Sequence, residues 1–369
     1  MNFLRKKKYK FSKKIGEGAY GIVSAYNDRN GKKVAIKVIK DLDNACDSIR
    51  ILREIKILKF CTKYSHPNIL SLIDVNVDNY KKNFRTISII TERGDTDLHE
   101  LIYRYRKNNV QLDEEHYKFI LFQMLSGVKH LHSANIIHRD LKPSNIIINK
   151  DSTIKIIDFG LSRSYNSTMT EYVVTRWYRA PEIVLSPKKY QHKMDIWAIG
   201  CIMVELIIKE PLFRGDNYLH LVKLIINILN VPDDDLSIYQ YGNRMIKRRK
   251  DELKGKLKKK FKKSFFQYFR KKEKKYNYPD DDGPDRIYQP ISNTLLELIK
   301  SMLTFNYSSR PNSECILNNE YFDEYHYKLE KYKNPPVQFE LDIEKENALI
   351  ESDDLIGIKK LIFFECLNV

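Results

Sequence analysis

The sequence predicts an α+β protein of two lobes, a small strand-rich lobe followed by a large helical one, with a cleft between them. Three observations predict it. Over the first 90 residues, apolar side chains come in short runs broken by Gly- or Asn-containing turns. Beyond them, apolar side chains recur at helical spacing. The chain has 369 residues, 42% of them hydrophobic, which is enough for more than one core.

The elements follow in order. "YKFSKKIG", "GIVSAYND" and "KKVAIKVI" read as strands of an antiparallel sheet, after a basic tail over residues 1–10. A helix is predicted over about 47–60, where Ile51, Ile55 and Leu58 recur at helical spacing. "RTISIITE" is the last strand of the first lobe (11–91), and residues 92–95 form a short hinge. "EEHYKFILFQMLSGVKHLHSANI" sets Tyr117, Ile120, Leu121, Met124 and Val128 on one helical face, a core stripe. "HKMDIWAIGCIMVELII" and "SNTLLELIKSMLT" repeat that pattern within a second lobe spanning 96–325. "WAIGCIMVELIIKEPLF", interrupted by Glu205, Lys209 and Glu210, is too short and too charged for a membrane span and reads as a buried helix with a polar end. A polar extension, 326–369, ends in the apolar stretch "DLIGIKKLIFFECL".

The formal charge is +17, but it is concentrated. Residues 244–275 hold 17 Lys and Arg against Asp251, Glu252 and Glu273, a local +14 that leaves +3 for everything else. This is a near-neutral chain with a basic insert, not a protein basic throughout as dedicated nucleic-acid binders often are. Cys46, Cys61, Cys201, Cys315 and Cys366 lie far apart with no CxxC pair, so neither a zinc site nor a disulfide framework is expected. With no apolar signal core near the start, a reducing intracellular location, cytoplasmic or nuclear, is expected.

Four motifs carry chemistry. "GEGAYGIV" contains Gly16, Gly18 and Gly21, whose backbone approaches phosphate oxygens closely, and Val23, an apolar surface for a purine. Alone the pattern is weak, but it sits between predicted strands. Lys37, 16 residues past Gly21 in "VAIKVI", is a point charge suited to α/β-phosphates, and Glu54 in "LREIKIL" is its natural partner. In "HRDLKPSNIIIN" Asp140 and Asn145 stand five apart with Lys142 between. Asp140 suits a group that accepts or orients a hydroxyl proton, Lys142 one that neutralises a moving phosphoryl group, and Asn145 a metal ligand. Asp158 in "IKIIDFGLSR" follows an isoleucine-rich buried strand, a placement that suits a second metal ligand. Each motif has a bland account as a surface charge or turn; their joint appearance in this order does not.

From about Phe11 to Tyr325 the chain resembles the eukaryotic protein kinase superfamily, whose bilobal fold joins a small β-rich N-lobe to a large helical C-lobe. Within it, "TEYVVTRWYRAPEIV" (170–184), "NYLHLVKLIINIL" and "SMLTFNYSSRP" resemble the mitogen-activated protein kinases of the extracellular-signal-regulated, TEY type. The resemblance implies a serine/threonine protein kinase using ATP and Mg2+, with Thr170 and Tyr172 phosphorylated by an upstream dual-specificity kinase and reversed by phosphatases. It places Ile15, Ala35, Thr91, Glu92, Gly94 and Asp97 around the nucleotide, Thr91 at the back of the adenine pocket. A small Thr91 and a hinge Gly94 imply room beyond adenine for bulky hinge-directed inhibitors. Arg53, Arg139 and Arg163 are implied around phospho-Thr170, and Arg176 and Arg179 around phospho-Tyr172; arginine is well shaped for bidentate phosphate contacts. Asp195 is implied to brace the catalytic loop, and Glu182 to pair with Arg310. Substrates are expected to be proteins with Ser/Thr-Pro sites, and no obligate oligomer is expected.

The chain also departs from the family. Where relatives carry an acidic docking patch, "YHYKLEKYK" offers Glu330 among Lys328, Lys331 and Lys333, a surface unfavourable for basic docking peptides. In the basic insert, Phe261, Phe265, Phe266 and Phe269 interleave with lysines, a pattern compatible with a solvated helix or with contact to an acidic protein, anionic lipid or RNA. The extension resembles the family segment that returns to the N-lobe. Two rivals stand beside the main reading: a proline-directed kinase of the cyclin-dependent group, whose PSTAIRE-like helix is not matched by "CDSIRILREIKIL", and a pseudokinase scaffold, disfavoured by the intact Lys37, Asp140, Asn145 and Asp158.

Overall fold

The computed structural model describes residues 9–18, 21–40, 42–78, 84–164, 176–185, 192–231, 265–277 and 290–367. Thr170, Tyr172 and residues 244–264 of the basic insert lie outside this set, as does the Arg163 side chain.

Five strands, β1 (Tyr9–Gly18), β2 (Gly21–Asp28), β3 (Lys33–Ile39), β4 (Leu72–Val77) and β5 (Ile87–Glu92), form one antiparallel sheet in the order β1-β2-β3-β5-β4. Alternation in β3 sends Val34 and Ile36 to one face, where they pack with Ile90, and leaves Ala35 and Lys37 on the other, half-buried face. Helix α1 (Ala45–Lys63) starts where Asn44 accepts the Asp47 N–H at 2.7 Å, an ordinary N-cap. It runs a turn longer than its apolar spacing indicates because its flank is covered by residues far along the chain.

The second lobe is helical: α2 (Leu98–Lys107), α3 (Glu114–Ser133), α4 (Pro181–Leu185), α5 (Lys193–Ile208), α6 (Tyr218–Leu229), α7 (Phe265–Asn277), α8 (Asn293–Met302) and α9 (Ser313–Leu317). Helix α5 is apolar all round and every residue from Met194 to Ile208 is buried, as a central helix requires. Its predicted polar end is not solvated. Lys209 caps the helix in the left-handed region, is buried, and donates to the Leu206 and Ile207 carbonyls at 3.1 Å each. After β7 (Ile136–Ile137), two short antiparallel strands, β8 (Ile146–Ile148) and β9 (Ile154–Ile156), line the cleft floor beside β6 (Thr96–Asp97).

The aromatic residues at the end of the basic insert correct the sequence expectation. Phe265 and Phe269 are buried in α7, which packs against α5 and α6, so they are not available to a lipid or RNA surface. Glu273 on the same helix accepts the Ile291 N–H at 2.9 Å and so ties it to the start of α8. Helices α10 (His326–Lys331), α11 (Ile343–Glu351) and α12 (Leu355–Leu367) follow, the last two against α1. Between them and the core, Phe339 meets Phe60 of α1 (centroids 5.3 Å apart), and its N–H donates to the Ala134 carbonyl at 2.8 Å. The extension therefore touches both lobes.

Candidate active site

Strand register brings the upper wall together. Val23 stands opposite Lys37, and Ala35 opposite Thr91, so Val23, Ala35, Lys37 and Thr91 share one face of the sheet. Strand β1 continues this wall through the pairs Gly16 with Val23 and Gly18 with Gly21, with Ile15 half exposed beside them. Gly21 cannot be replaced without strain: its φ is +133°, and an added Cβ would lie 2.3 Å from the Val38 carbonyl oxygen. Lys37 Nζ reaches both carboxylate oxygens of Glu54 at 2.8 Å. Burial and the charge of Asp158 push the Glu54 carboxyl up, and Lys37 pulls it down.

The hinge differs from expectation in one respect. Gly94 leaves no extra room, because an added Cβ would sit 3.0 Å from Ile147 Cδ1 and 3.3 Å from Asn149 Oδ1. The glycine lets the hinge backbone rest on β8; any added space comes from the Thr91 side alone. Glu92 is tied to Ser71 N–H (2.8 Å) and to Lys155 (2.9 Å), and Asp97 caps α2 by accepting the Glu100 N–H at 2.9 Å.

The lower wall is one connected polar network. Asp195, buried in α5, accepts the His138 and Arg139 backbone N–H groups and the His132 Nε2–H, each at 2.9 Å. Burial alone would raise its carboxyl, but His132 and these N–H groups hold it below the usual aspartate range. Arg139 takes a left-handed φ of 71°, a conformation that a loop so bonded tolerates. His138 accepts the Asp140 N–H on Nδ1 (3.3 Å), so its Nε2–H donates to the Ile157 carbonyl (2.9 Å). Lys142 Nζ lies 2.7 Å from Asp140 Oδ2, and Asn145 Nδ2 donates to the Asp140 carbonyl (2.8 Å) and Oδ2 (3.0 Å). Burial is the main cause raising the Asp140 carboxyl, partly opposed by Lys142. For Asp158, burial is outweighed by Lys37, His138 and Lys142, which hold its carboxyl below the usual aspartate range.

These residues fit a magnesium ion. Both Asn145 amide hydrogens are used on Asp140, which turns its oxygen toward other ligands, and Asp158 adds an ionised carboxylate; an all-oxygen set suits a hard cation.

Around the expected phosphate sites, Arg176 donates to the Asp216 carbonyl and Arg179 to the Tyr218 hydroxyl, and both guanidinium groups lie over the Tyr218 ring, at 5.4 and 5.5 Å. Arg53 is engaged elsewhere, with Glu346 at 2.6 Å. Glu182 and Arg310 form the expected bidentate pair, at 2.7 and 3.0 Å, both buried. Sequence reasoning missed His132, the Tyr178–Glu205 contact and Glu346. The first two had no sequence signal beyond proximity to a motif, and the third had none.

A protein kinase domain family model matches residues 9–322. The chain is 39% identical to "Extracellular signal-regulated kinase 1" of Dictyostelium discoideum over 87% of this chain and 56% of that protein. It is 38% identical to "Mitogen-activated protein kinase 13" of Arabidopsis thaliana over 96% of this chain and 88% of the relative. Identity to "Mitogen-activated protein kinase mpkB" of Aspergillus fumigatus is 35%, over 100% of this chain and 97% of the relative. With its Lys37–Glu54 pair and Asp140 network intact, the chain belongs to the protein kinases and, among them, to the serine/threonine-specific mitogen-activated protein kinase family.

Proposed function

We propose that this kinase is of the extracellular-signal-regulated, TEY type: it phosphorylates serine or threonine followed by proline, and it is switched on by phosphorylation of Thr170 and Tyr172. The observation that carries the phosphoryl transfer is the assembled cleft, with Lys37, Asp140, Lys142, Asn145 and Asp158 in one network between the lobes, and the preference for proline rests on the likeness to mitogen-activated protein kinases. Lys37, held by Glu54, positions the α- and β-phosphates of ATP, and the face made by Val23, Ala35 and Thr91 receives the adenine. Asp140 orients the substrate hydroxyl and takes its proton as the Oγ–P bond forms and the bond to ADP breaks. Lys142 neutralises charge on the phosphoryl group in flight. Asn145 and Asp158 would hold Mg2+, which when bound screens the phosphate charges.

The switch rests on the TEY sequence and on the arginines around it. A phosphate near −2 orders a loop when guanidinium groups await it. Arg176 and Arg179 already converge on one exposed aromatic, Tyr218, and a phosphotyrosine offers them a stronger acceptor. An upstream dual-specificity kinase and opposing phosphatases are the partners this implies. No described helix is long and apolar enough to cross a membrane. A cytoplasmic or nuclear place of action is part of the proposal, as is any acidic partner of the Lys-rich residues 244–264.

The test is a peptide array comparing Ser-Pro with Ser-Ala substrates, before and after phosphatase treatment, with Asp140→Asn as the inactive control. Preference for proline and loss of activity on dephosphorylation are expected. Equal rates on both peptides, or activity indifferent to phosphatase, overturn the corresponding part.

A further inference from the structure

Arg53 and Glu54 are neighbours on α1, so whatever anchors one fixes the rotation that presents the other. Glu54 is the residue that holds Lys37, at 2.8 Å. Arg53 is 5% exposed, and its Nε–H donates to Glu346 Oε2 at 2.6 Å across 293 residues of sequence. Glu346, on α11, is 1% exposed, and Lys56 Nζ lies 3.9 Å from its other carboxylate oxygen. A guanidinium buried this deeply requires an anion, because its desolvation is otherwise uncompensated. The site is built on packed elements: about two turns beyond Arg53 on α1, Lys59 pairs with Glu365 at 2.5 Å, and Phe60 meets Phe339.

We propose that Glu346 is a positioning residue for phosphoryl transfer: its carboxylate anchors Arg53 and thereby holds α1 with Glu54 against Lys37 while the activation segment carries no phosphate. The extension thus supplies from within the chain the anion that a phosphorylated segment brings from outside. The exchange of anchors rests on the proposed switch at Thr170, with Arg53 among the arginines that the family resemblance places around it; the anchoring of α1 does not. A phosphate carries nearly twice the charge of a carboxylate and more acceptor oxygens, so a phosphorylated segment replaces Glu346 as the anchor.

The experiment uses the full-length, phosphatase-treated kinase and measures KM for ATP, KM for peptide and thermal stability. Glu346→Gln is expected to raise KM for ATP about tenfold, with a smaller change in KM for peptide. Glu346→Asp recovers most of the loss, and Glu344→Gln, an exposed change on the same helix, matches wild type. An unchanged KM for ATP in Glu346→Gln, or an equal rise in Glu344→Gln, overturns the proposal. Should Glu346→Gln fail to fold, the Arg53→Met/Glu346→Gln double variant removes both charges; a normal KM for ATP there overturns the proposal as well. After phosphorylation at Thr170, the ATP defect of Glu346→Gln disappears. If it persists, the exchange of anchors is wrong. A wild-type enzyme indifferent to phosphorylation refutes the switch and leaves the anchoring result standing.

Discussion

Tyr178 donates its hydroxyl to Glu205 Oε2 at 2.6 Å inside the large lobe, directly beneath the segment that follows the activation loop. Burial lifts the Glu205 carboxyl to about 7, with the Tyr178 hydrogen bond opposing the rise. The pair ties the "RWYRAPE" segment to α5, so this segment rests on a group that titrates near neutrality.

The sign of its pH dependence follows from that elevation. A carboxyl raised in the fold binds a proton more tightly there than in the unfolded chain, so its contribution is fully present below about pH 4.5 and is lost as pH rises through about 7. Glu205→Gln keeps an acceptor for Tyr178 and cannot ionise. Its stability relative to wild type is expected to improve by up to about 3 kcal/mol between pH 5 and 8. Thermal melts across that range check it; a constant difference refutes it.

Asp195 gathers two backbone N–H groups and one imidazole. Asp195→Ala leaves both N–H groups buried without an acceptor, at about 1–3 kcal/mol each. Asp195→Asn retains one oxygen and is expected to fold, with kcat reduced about a hundredfold because Asp140 is no longer held. Steady-state kinetics beside chemical denaturation separate the two effects.

Glu182 and Arg310 are a fully desolvated pair, with Arg310 also donating to the Thr304 carbonyl at 3.0 Å. Arg310→Met alone strands a buried carboxylate, and a loss of about 3–5 kcal/mol is expected. Adding Glu182→Gln recovers part of it. Urea denaturation of the two single variants and the double measures the coupling, and strict additivity refutes it.

At the hinge, Gly94→Ala drives a methyl group against Ile147 and is expected to weaken nucleotide binding. Thr91→Gln narrows the pocket by another route and is expected to cut the affinity of bulky hinge-directed inhibitors about tenfold with ATP less affected. Calorimetric titration of nucleotide and inhibitor tests both.

Much of the site was legible because its chemistry is written in short, ordered segments. The Asp140–Asn145 spacing becomes two hydrogen bonds within one turn, and the isoleucine run before Asp158 becomes β9. Asp195 and the Glu182–Arg310 pair were legible through resemblance. What escaped was set by packing between distant segments. Nothing near Arg53 announces Glu346, and a lysine-rich stretch conceals that Phe265 and Phe269 turn inward. Gly94 misled because the absence of a side chain says nothing about what fills its place.

The return of α11 and α12 to α1 also sets an order of assembly. Ile358 and Ile362 are completely buried in the core that α1 shares, yet they are synthesised after every catalytic segment. Until they emerge, a flank of the nascent small lobe stays uncovered, and its long-range contacts form late and slowly. The catalytic segments are made first, but the helix that presents Glu54 is fully covered only once α11 and α12 have followed them. Until then α1 lacks that cover, and the growing chain depends on whatever shields its exposed apolar surface.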